Sequence, residues 1–436
     1  MTNVLLIGNG AREHAIAKAV LRSSEDSRLF AYMKSNNPGI SELCEDIQIG
    51  SYSNIDEIKA FAQSIVPDFV VIGPEDPLNN GVADALEEIG IPSIGPKKEL
   101  ARLETSKSFT RLIMQKYGIE GNPKFKVFES VDGIKEFLEE LEGIVIKPDG
   151  LTGGKGVRVQ GDHFDTKGEA LQYCIEVLET HPTVVIEDKL DGEEFSLQCF
   201  TDGVNVIDTP PCQDHKRAYV DDKGPNTGGM GSYSGADHLL PFMKEEHLKV
   251  AHDITVKVAK ALKEETGELY KGVMYGGFII TKQGVKLIEY NARMGDPEAM
   301  NVLSIMKSDF VEMCRAIVNG KLDEYNIEFD NLATVCKYAV PEGYPTNPVK
   351  NEKVDVSEVA QDTEIFYASV DKKEDGLYMS GSRAIAFVGK GIDIEEAQVK
   401  AENAVCSVKG KVFHREDIGT KELIQKRIDH MKRILG

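Results

Sequence analysis

The stretch Val285-Lys-Leu-Ile-Glu-Tyr-Asn-Ala-Arg-Met-Gly-Asp-Pro-Glu298 sets an acid, a carboxamide and a guanidinium on alternate residues and then closes with a helix-start signal. Side chains alternate faces along a strand. Glu289, Asn291 and Arg293 are therefore expected to project together, with Ile288, Tyr290 and Ala292 packed behind them. Two oxygen ligands suit a hard cation such as Mg²⁺, which keeps several waters and shares phosphate oxygens with a substrate. An arginine beside them can clamp a phosphoryl oxygen. A solvated charge ladder on a sheet edge has the same spelling, and the strand alone leaves both readings open. Asp296-Pro297-Glu298 spells a helix opening, with Asp as N-cap and Pro in the first turn. Substrate contact by Asp296 would be an addition to that capping role.

Working outward, Lys147-Pro-Asp-Gly-Leu-Thr-Gly-Gly-Lys-Gly-Val157 departs from a Walker loop, because Gly156 stands where Ser or Thr must hold the metal and strands flank it on both sides. A glycine hairpin carrying Lys155, with Lys147 on the strand before it, can instead close its backbone amides over a triphosphate. An exposed β-hairpin is the alternative. In Val184-Val-Ile-Glu-Asp-Lys-Leu-Asp-Gly-Glu-Glu-Phe-Ser196 an apolar strand runs into an acidic segment, which suits an adenine slot or a plain charged loop. Asp214-His-Lys-Arg217 and Gly224-Pro-Asn-Thr-Gly-Gly-Met-Gly231 pair local positive charge with a donor-rich loop. They read as an anion-contacting pair or a flexible linker.

Residues 3 to about 100 alternate short apolar runs with helical patterns, which predicts a parallel, doubly wound α/β unit. Ligands in such sheets sit beyond the carboxyl ends of the strands, here the loops Gly8-Asn-Gly-Ala-Arg-Glu13 and Gly73-Pro-Glu-Asp-Pro-Leu78. A dinucleotide fingerprint is set aside. Its third glycine would fall at Glu13, and the second strand ends in Tyr32-Met-Lys-Ser-Asn36 without a ribose-holding acid. Beyond this unit the spacing predicts a small α+β module over about 124–190, two long helices near 243–266 and 297–319, strands over 333–340, 365–369 and 383–388, and a helix over 394–406.

The whole chain bounds these readings. Its 436 residues suggest about three domains. The net charge of −21, from 51 basic against 72 acidic residues, disfavours nucleic acid as a partner, so any anionic substrate must be held by local cations. Seven scattered cysteines with no C-x-x-C fit reduced thiols in a cytoplasmic enzyme. Neither a signal peptide nor an apolar run of membrane-spanning length is visible, so no membrane partner is expected.

Lys107, Lys147, Gly153-Gly-Lys-Gly156, Glu187 and Glu289-Tyr-Asn-Ala-Arg293 follow one another in the order of an ATP-grasp enzyme. With Gly8-Asn-Gly-Ala-Arg-Glu-His-Ala15, Gly73-Pro-Glu75, Gly224–Gly231, Asn291–Glu298, Ser382–Phe387 and Val412–Gly419 added, the chain resembles the phosphoribosylamine–glycine ligase family of purine synthesis from end to end. The resemblance implies an α/β and α+β multidomain protein: a pre-ATP-grasp N domain over 1–123, a mobile B lid over 124–191, an A domain over 192–329 and an α+β C domain over 330–436. It also implies ATP with Mg (or Mn) as cofactors, glycine and 5-phosphoribosylamine as substrates, and a glycyl phosphate intermediate. Matching motif by motif, Glu289 and Asn291 would bind the metal, and Lys107, Lys147 and Lys155 would meet the ATP phosphates. Glu187 with nearby backbone would face adenine, and Glu194 the ribose. Arg293 would stabilise the transferring phosphoryl group. Asp214, Lys216 and the loop with Asn226, Thr227 and Gly228 would lie near glycine and the acyl phosphate, and Gly10, Glu13 and Glu75 would receive phosphoribosylamine.

Two departures stand out. Phe278 occupies the place where many ATP-grasp enzymes carry a second metal-binding Glu, and Ala11 stands where the family usually has another glycine. A related ATP-grasp ligase activating bicarbonate or formate is the nearest rival, disfavoured by Asn226–Gly231. A non-catalytic nucleotide-binding regulator would be expected to have lost Arg293 or the metal pair. A monomer or weak dimer is expected.

Overall fold

The computed structural model describes residues 1–24, 26–151 and 156–436. Its N-terminal sheet has five parallel strands in the order Asp46–Ile49, Ser27–Met33, Thr2–Ile7, Phe69–Ile72, Ser93–Ile94. Val4, Leu5, Leu6 and Ile7 are fully buried, as a strand covered on both faces requires. The order reverses at Thr2–Ile7, so the loops after Ile7 and Ile72 open side by side at the switch point.

The next module is a four-stranded antiparallel sheet, Phe125–Phe128, Val184–Asp188, Ile144–Pro148 and Arg158–Val159 in spatial order. It has a core of its own, built on Phe128, Ile134, Leu138, Ile146, Cys174 and Ile186. Asp149 ties it to the preceding helix, Lys107–Lys116, accepting from Ser106 Oγ at 3.1 Å, Ser108 Oγ at 2.5 Å and Thr183 Oγ1 at 3.1 Å.

A four-stranded antiparallel sheet at the site runs Val206–Asp208, Gly192–Thr201, Gly272–Thr281, Gly284–Asn291. The strand Ala333–Pro341, buried along its whole length, carries a further sheet that joins the C-terminal unit to this region. The main apolar cluster runs from Val4 to Met431, so the N-terminal, central and C-terminal parts share one interior while the small module keeps its own.

One predicted element differs and one element was not predicted. The helix expected over 297–319 is two, Glu298–Ser304 and Phe310–Asn319. Asp309 restarts the second by accepting from the backbone N–H groups of Val311 and Glu312, while its other contacts hold Ser23 and Ser24 of the N-terminal unit. The C-terminal helix Lys421–Leu435 was not foreseen, because its apolar side is sparse and only Leu423 and Met431 are fully buried. Among the described residues no helix is long and apolar enough to cross a membrane.

Candidate active site

Strand alternation holds for only part of Gly284–Asn291. Gly277 pairs with Glu289, yet Phe278 pairs with Leu287, so Ile288 is an extra residue in the strand, a β-bulge. Leu287 therefore goes to the core at 0% exposure, and Ile288, expected behind the strand, lines the cavity beside Glu289, Lys216, Asp214, Glu194 and Phe195. Phe278 lines the same cavity. It is fully buried, stacked on Phe195 at 5.6 Å between ring centroids and set edge-on to Tyr290 at 6.2 Å.

Three lysines surround Glu289. Lys216 Nζ approaches its Oε1 to 3.4 Å, and with Lys147 and Lys107 it draws the carboxyl pKa down to about 2 against the effect of burial. Glu289 in turn raises the pKa of Lys216. Lys107 opens its helix and donates to Gly150 O at 2.7 Å, and Lys155 lies outside the described residues.

Lys147 is 6% exposed, and burial lowers its pKa. It donates to Ile288 O at 3.0 Å and pairs with Glu187 at 2.8 Å. Glu187 departs from its expected position toward a base. Its carboxylate is 3% exposed, paired with Lys147 and forked by Arg111, whose Nε and Nη2 donate at 2.7 and 3.0 Å. Arg111 also donates to Leu287 O and Ile288 O, at 2.9 and 2.7 Å, which satisfies carbonyls around the bulge. Sequence reading passed over Arg111 because an arginine inside an amphipathic helix looks like a surface residue. The triad joins the small module, the helix Lys107–Lys116 and the metal-candidate strand.

Arg293 closes the other end of that strand. Its Nη2 meets Glu104 at 2.8 Å and Asn291 Oδ1 at 3.2 Å, and its Nε stands 3.4 Å from Glu75. The two acids raise its pKa despite burial. Burial alone would push Glu75 up, but Arg293 and Arg12 bring it down to about 2. Glu104, another residue missed, has its pKa raised by burial and also accepts from Ala292 N at 2.7 Å.

At the switch point, Glu13 lies inward at 2% exposure. Its carboxylate accepts from Gly10 N and Arg12 Nε, both at 2.5 Å, as the third residue of its own helix. Any Cβ at Gly73 would fall 2.2 Å from Glu13 Oε1, and Gly8, at φ +137°, would meet Glu13 Cγ at 2.3 Å. Those glycines make room for the carboxylate, so Glu13 shapes the turn and its exposure leaves a ligand little access. The Ala11 methyl is fully buried within the same helix start.

Asp296 is not the helix cap. The helix begins at Glu298 with Pro297 in the cap position, and the Asp296 carboxylate instead accepts from Tyr338 Oη at 2.6 Å and pairs with Arg383 Nη2 at 2.9 Å. Arg383 reaches back from the C-terminal unit to the carbonyls of Gly228 and Gly229, at 2.7 and 3.0 Å. Thr227 points inward too, donating from N and Oγ1 to Lys216 O at 2.7 and 2.8 Å. Asn226 pairs through its strand with Arg217, and Glu194 is exposed at the cavity rim. Asp214 packs against Gly229, and burial together with Glu298 lifts its pKa well up.

A small antiparallel module closing over a carboxylate-and-lysine strand, beside a parallel N-terminal unit, is the architecture of an ATP-grasp ligase. The family models for phosphoribosylglycinamide synthetase match in series, the N domain over residues 2–104, the ATP-grasp (A) domain over 105–299 and the C domain over 334–421. The phosphoribosylamine–glycine ligase of Methanocaldococcus jannaschii is 51% identical over 99% of both chains. The crystal structure of the Thermotoga maritima enzyme of that name superposes with a TM-score of 0.81 at 28% identity, over 95% of this chain and 100% of that one. The biotin carboxylase domain of Hydrogenobacter thermophilus 2-oxoglutarate carboxylase shares the fold, with TM-score 0.74 and 16% identity over 99% and 94% of the two chains. The chain belongs to the phosphoribosylamine–glycine ligase family.

Proposed function

We propose that the chain ligates glycine to 5-phosphoribosylamine at the expense of ATP, through glycyl phosphate, giving glycinamide ribonucleotide, ADP and phosphate for purine synthesis. The observation that carries this reading is Arg293. One guanidinium touches Glu75 of the switch-point loop and Asn291 of the strand that bears Glu289, which supports a phosphoribosyl site and a nucleotide site sharing a wall.

A carboxylate is a poor electrophile, and phosphorylation supplies it with a leaving group. A glycine carboxylate oxygen attacks the γ-phosphorus as the bond to ADP breaks. The phosphoribosylamine nitrogen then attacks the carbonyl carbon, loses a proton and expels phosphate. Such chemistry needs alignment and charge neutralisation more than a nucleophilic side chain. Lys107, Lys147 and Lys216 supply positive charge around Glu289, and Arg293 is set to meet the transferring group. Asp214 is proposed for the glycine ammonium. Gly10 and Glu75 are proposed on the phosphoribosylamine side, with Glu13 shaping the turn.

An ionised carboxylate and an amide oxygen fit Mg²⁺ or Mn²⁺, so Glu289 and Asn291 would hold the ion. It would neutralise charge on the phosphates. With Phe278 buried in the aromatic stack, the strand Gly284–Asn291 is proposed as the main protein anchor for the metal. We further propose a lid over 124–191, a cytoplasmic monomer or weak dimer, and neither a nucleic-acid nor a membrane partner, the last two from the acidic balance and the absence of a long apolar helix among the described residues.

The test is ADP release with freshly made phosphoribosylamine in the presence of glycine, formate or bicarbonate. Glycine-dependent release supports the reading. Turnover indifferent to glycine and driven by bicarbonate or formate would replace it with the related ligase chemistry.

A further inference from the structure

On the C-terminal unit, remote in sequence from the strand described above, Glu402 and Cys406 stand one turn apart on the helix Ile394–Cys406, and His414 follows the short strand Val412–Phe413. Glu402 Oε1 lies 2.9 Å from His414 Nε2 and 3.5 Å from Cys406 Sγ, and Sγ lies 4.0 Å from Nε2. Among the described residues this is the only group of three His, Cys, Asp or Glu ligand atoms gathered within 4.8 Å. The nucleotide-ligating reaction proposed above makes no use of it.

We propose that Glu402, Cys406 and His414 form a site for a zinc-class divalent cation, with solvent completing the coordination. Tetrahedral zinc, bound at about 2.3 Å to sulfur and about 2.0 to 2.1 Å to nitrogen and oxygen, sets its ligands roughly 3.6 Å (S to N), 3.5 Å (S to O) and 3.3 Å (N to O) apart. The three atoms here lie within about 0.4 Å of each of those separations, so small side-chain rotations would seat the ion. One S, one N and one O donor favour zinc over Mg²⁺ or Ca²⁺, which take oxygen ligands. The half-buried His414 and Glu402 give the site an inner wall, and the exposed Cys406 gives it an opening.

The carboxylate is also oriented from behind. Lys337, fully buried on Ala333–Pro341, bonds to the other oxygen of Glu402 and donates to Glu416 O at 2.7 Å. That leaves Oε1 for the ion, in the manner of an outer partner that fixes a metal-binding carboxylate. The ammonium repels a cation, but it sits on the far oxygen. Without a cation, burial and Glu402 hold the Cys406 thiol protonated. Binding breaks the S–H bond, forms the S–metal bond and releases that proton to solvent. The bound ion would staple the segment after Phe413 to the helix Ile394–Cys406 and so stiffen this unit.

Co²⁺ titration of the chelator-stripped full chain reads the site, because only a thiolate ligand gives the near-ultraviolet sulfur-to-cobalt charge-transfer band. Zn²⁺ competition against a chromophoric chelator measures affinity. One equivalent per chain is expected, with the band absent in Cys406→Ser and the Zn²⁺ affinity lowered by at least about 100-fold in both Cys406→Ser and His414→Gln. Glu289→Gln should keep the band. Zn²⁺ should also raise the melting temperature of the natural chain and not that of Cys406→Ser. A band that survives Cys406→Ser, a band lost in Glu289→Gln, or no stoichiometric Zn²⁺ binding by the natural chain would overturn the proposal.

Discussion

Replacing Arg111 by Met tests the joint between the small module and the strand carrying Glu289. The guanidinium donates to Glu187 at 2.7 and 3.0 Å, to Leu287 O at 2.9 Å, to Ile288 O at 2.7 Å and to Asn122 Oδ1 at 3.2 Å. Methionine fills the stem and makes none of these bonds. Glu187, with its side chain 4% exposed, keeps only Lys147. Breaking a buried ion pair by removing one partner costs about 3–5 kcal/mol. A chain this long need not unfold in one step, so the measurement should be local. Hydrogen exchange in peptides covering 107–116 and 184–191 should speed up roughly 100- to several-thousand-fold, at about 1.4 kcal/mol per decade, while the strand Thr2–Ile7 stays protected. Adding Glu187→Leu to Arg111→Met removes the stranded carboxylate, so the double variant should recover at least about 2 kcal/mol relative to additivity. An acceleration below tenfold, or strict additivity, would refute the view that the triad holds this joint.

Glu289→Gln should lower glycine-dependent ADP release by about 100-fold or more with circular dichroism unchanged, the scale expected of one preorganised electrostatic partner; ordinary turnover at ordinary Mg²⁺ would count against the site. Glu75→Ala should raise the KM for phosphoribosylamine and, by loosening Arg293, lower kcat as well, leaving the KM for ATP within about threefold; a change confined to ATP would mean that the switch-point loop has been misread. The Glu289 pKa of about 2 lies below its unfolded value, so the stability it contributes is present above about pH 4.5 and lost as the pH falls through about 2. Mn²⁺ affinity should accordingly stay flat on acidification from pH 6 to 5 in the natural chain and fall in Lys216→Met, where burial acts with less opposition; equal profiles would remove Lys216 from the site. Arg383→Met should expose the loop around Gly228 to faster hydrogen exchange and raise the KM for glycine, and an unchanged loop would show that Asp296 and Tyr338 hold it alone.

Period-two and period-3.6 patterns carried the parallel sheet, the small module and most helices, because those elements bury continuous apolar faces that are visible in a short window. Ile288 escaped the pattern because a bulge is a property of two strands, created where Gly277 and Phe278 meet Glu289 and Leu287. Asp296 has the local spelling of a cap, yet Tyr338 and Arg383, 42 and 87 residues further on, take its carboxylate. Arg111 and Glu104 were hidden for the same reason. A charged residue on an amphipathic helix is usually solvated, and only the folded chain reveals a buried counter-charge. Glycines were more informative. Gly8 and Gly73 marked the switch point, and the room they leave is taken by the Glu13 carboxylate.

The reach of Arg383 bears on when this protein can begin to work. During synthesis the chain emits the lysines proposed to face phosphate and its acid strand first, and N-terminal units fold while the rest is still being made. The Gly228–Gly229 carbonyls and Asp296 acquire their cation only after residue 383 has appeared. A ribosome-bound or truncated chain therefore carries the residues proposed to contact nucleotide without the clamp on the loop proposed to hold glycine. The emergence of residue 383 thus becomes a late step in assembling that loop.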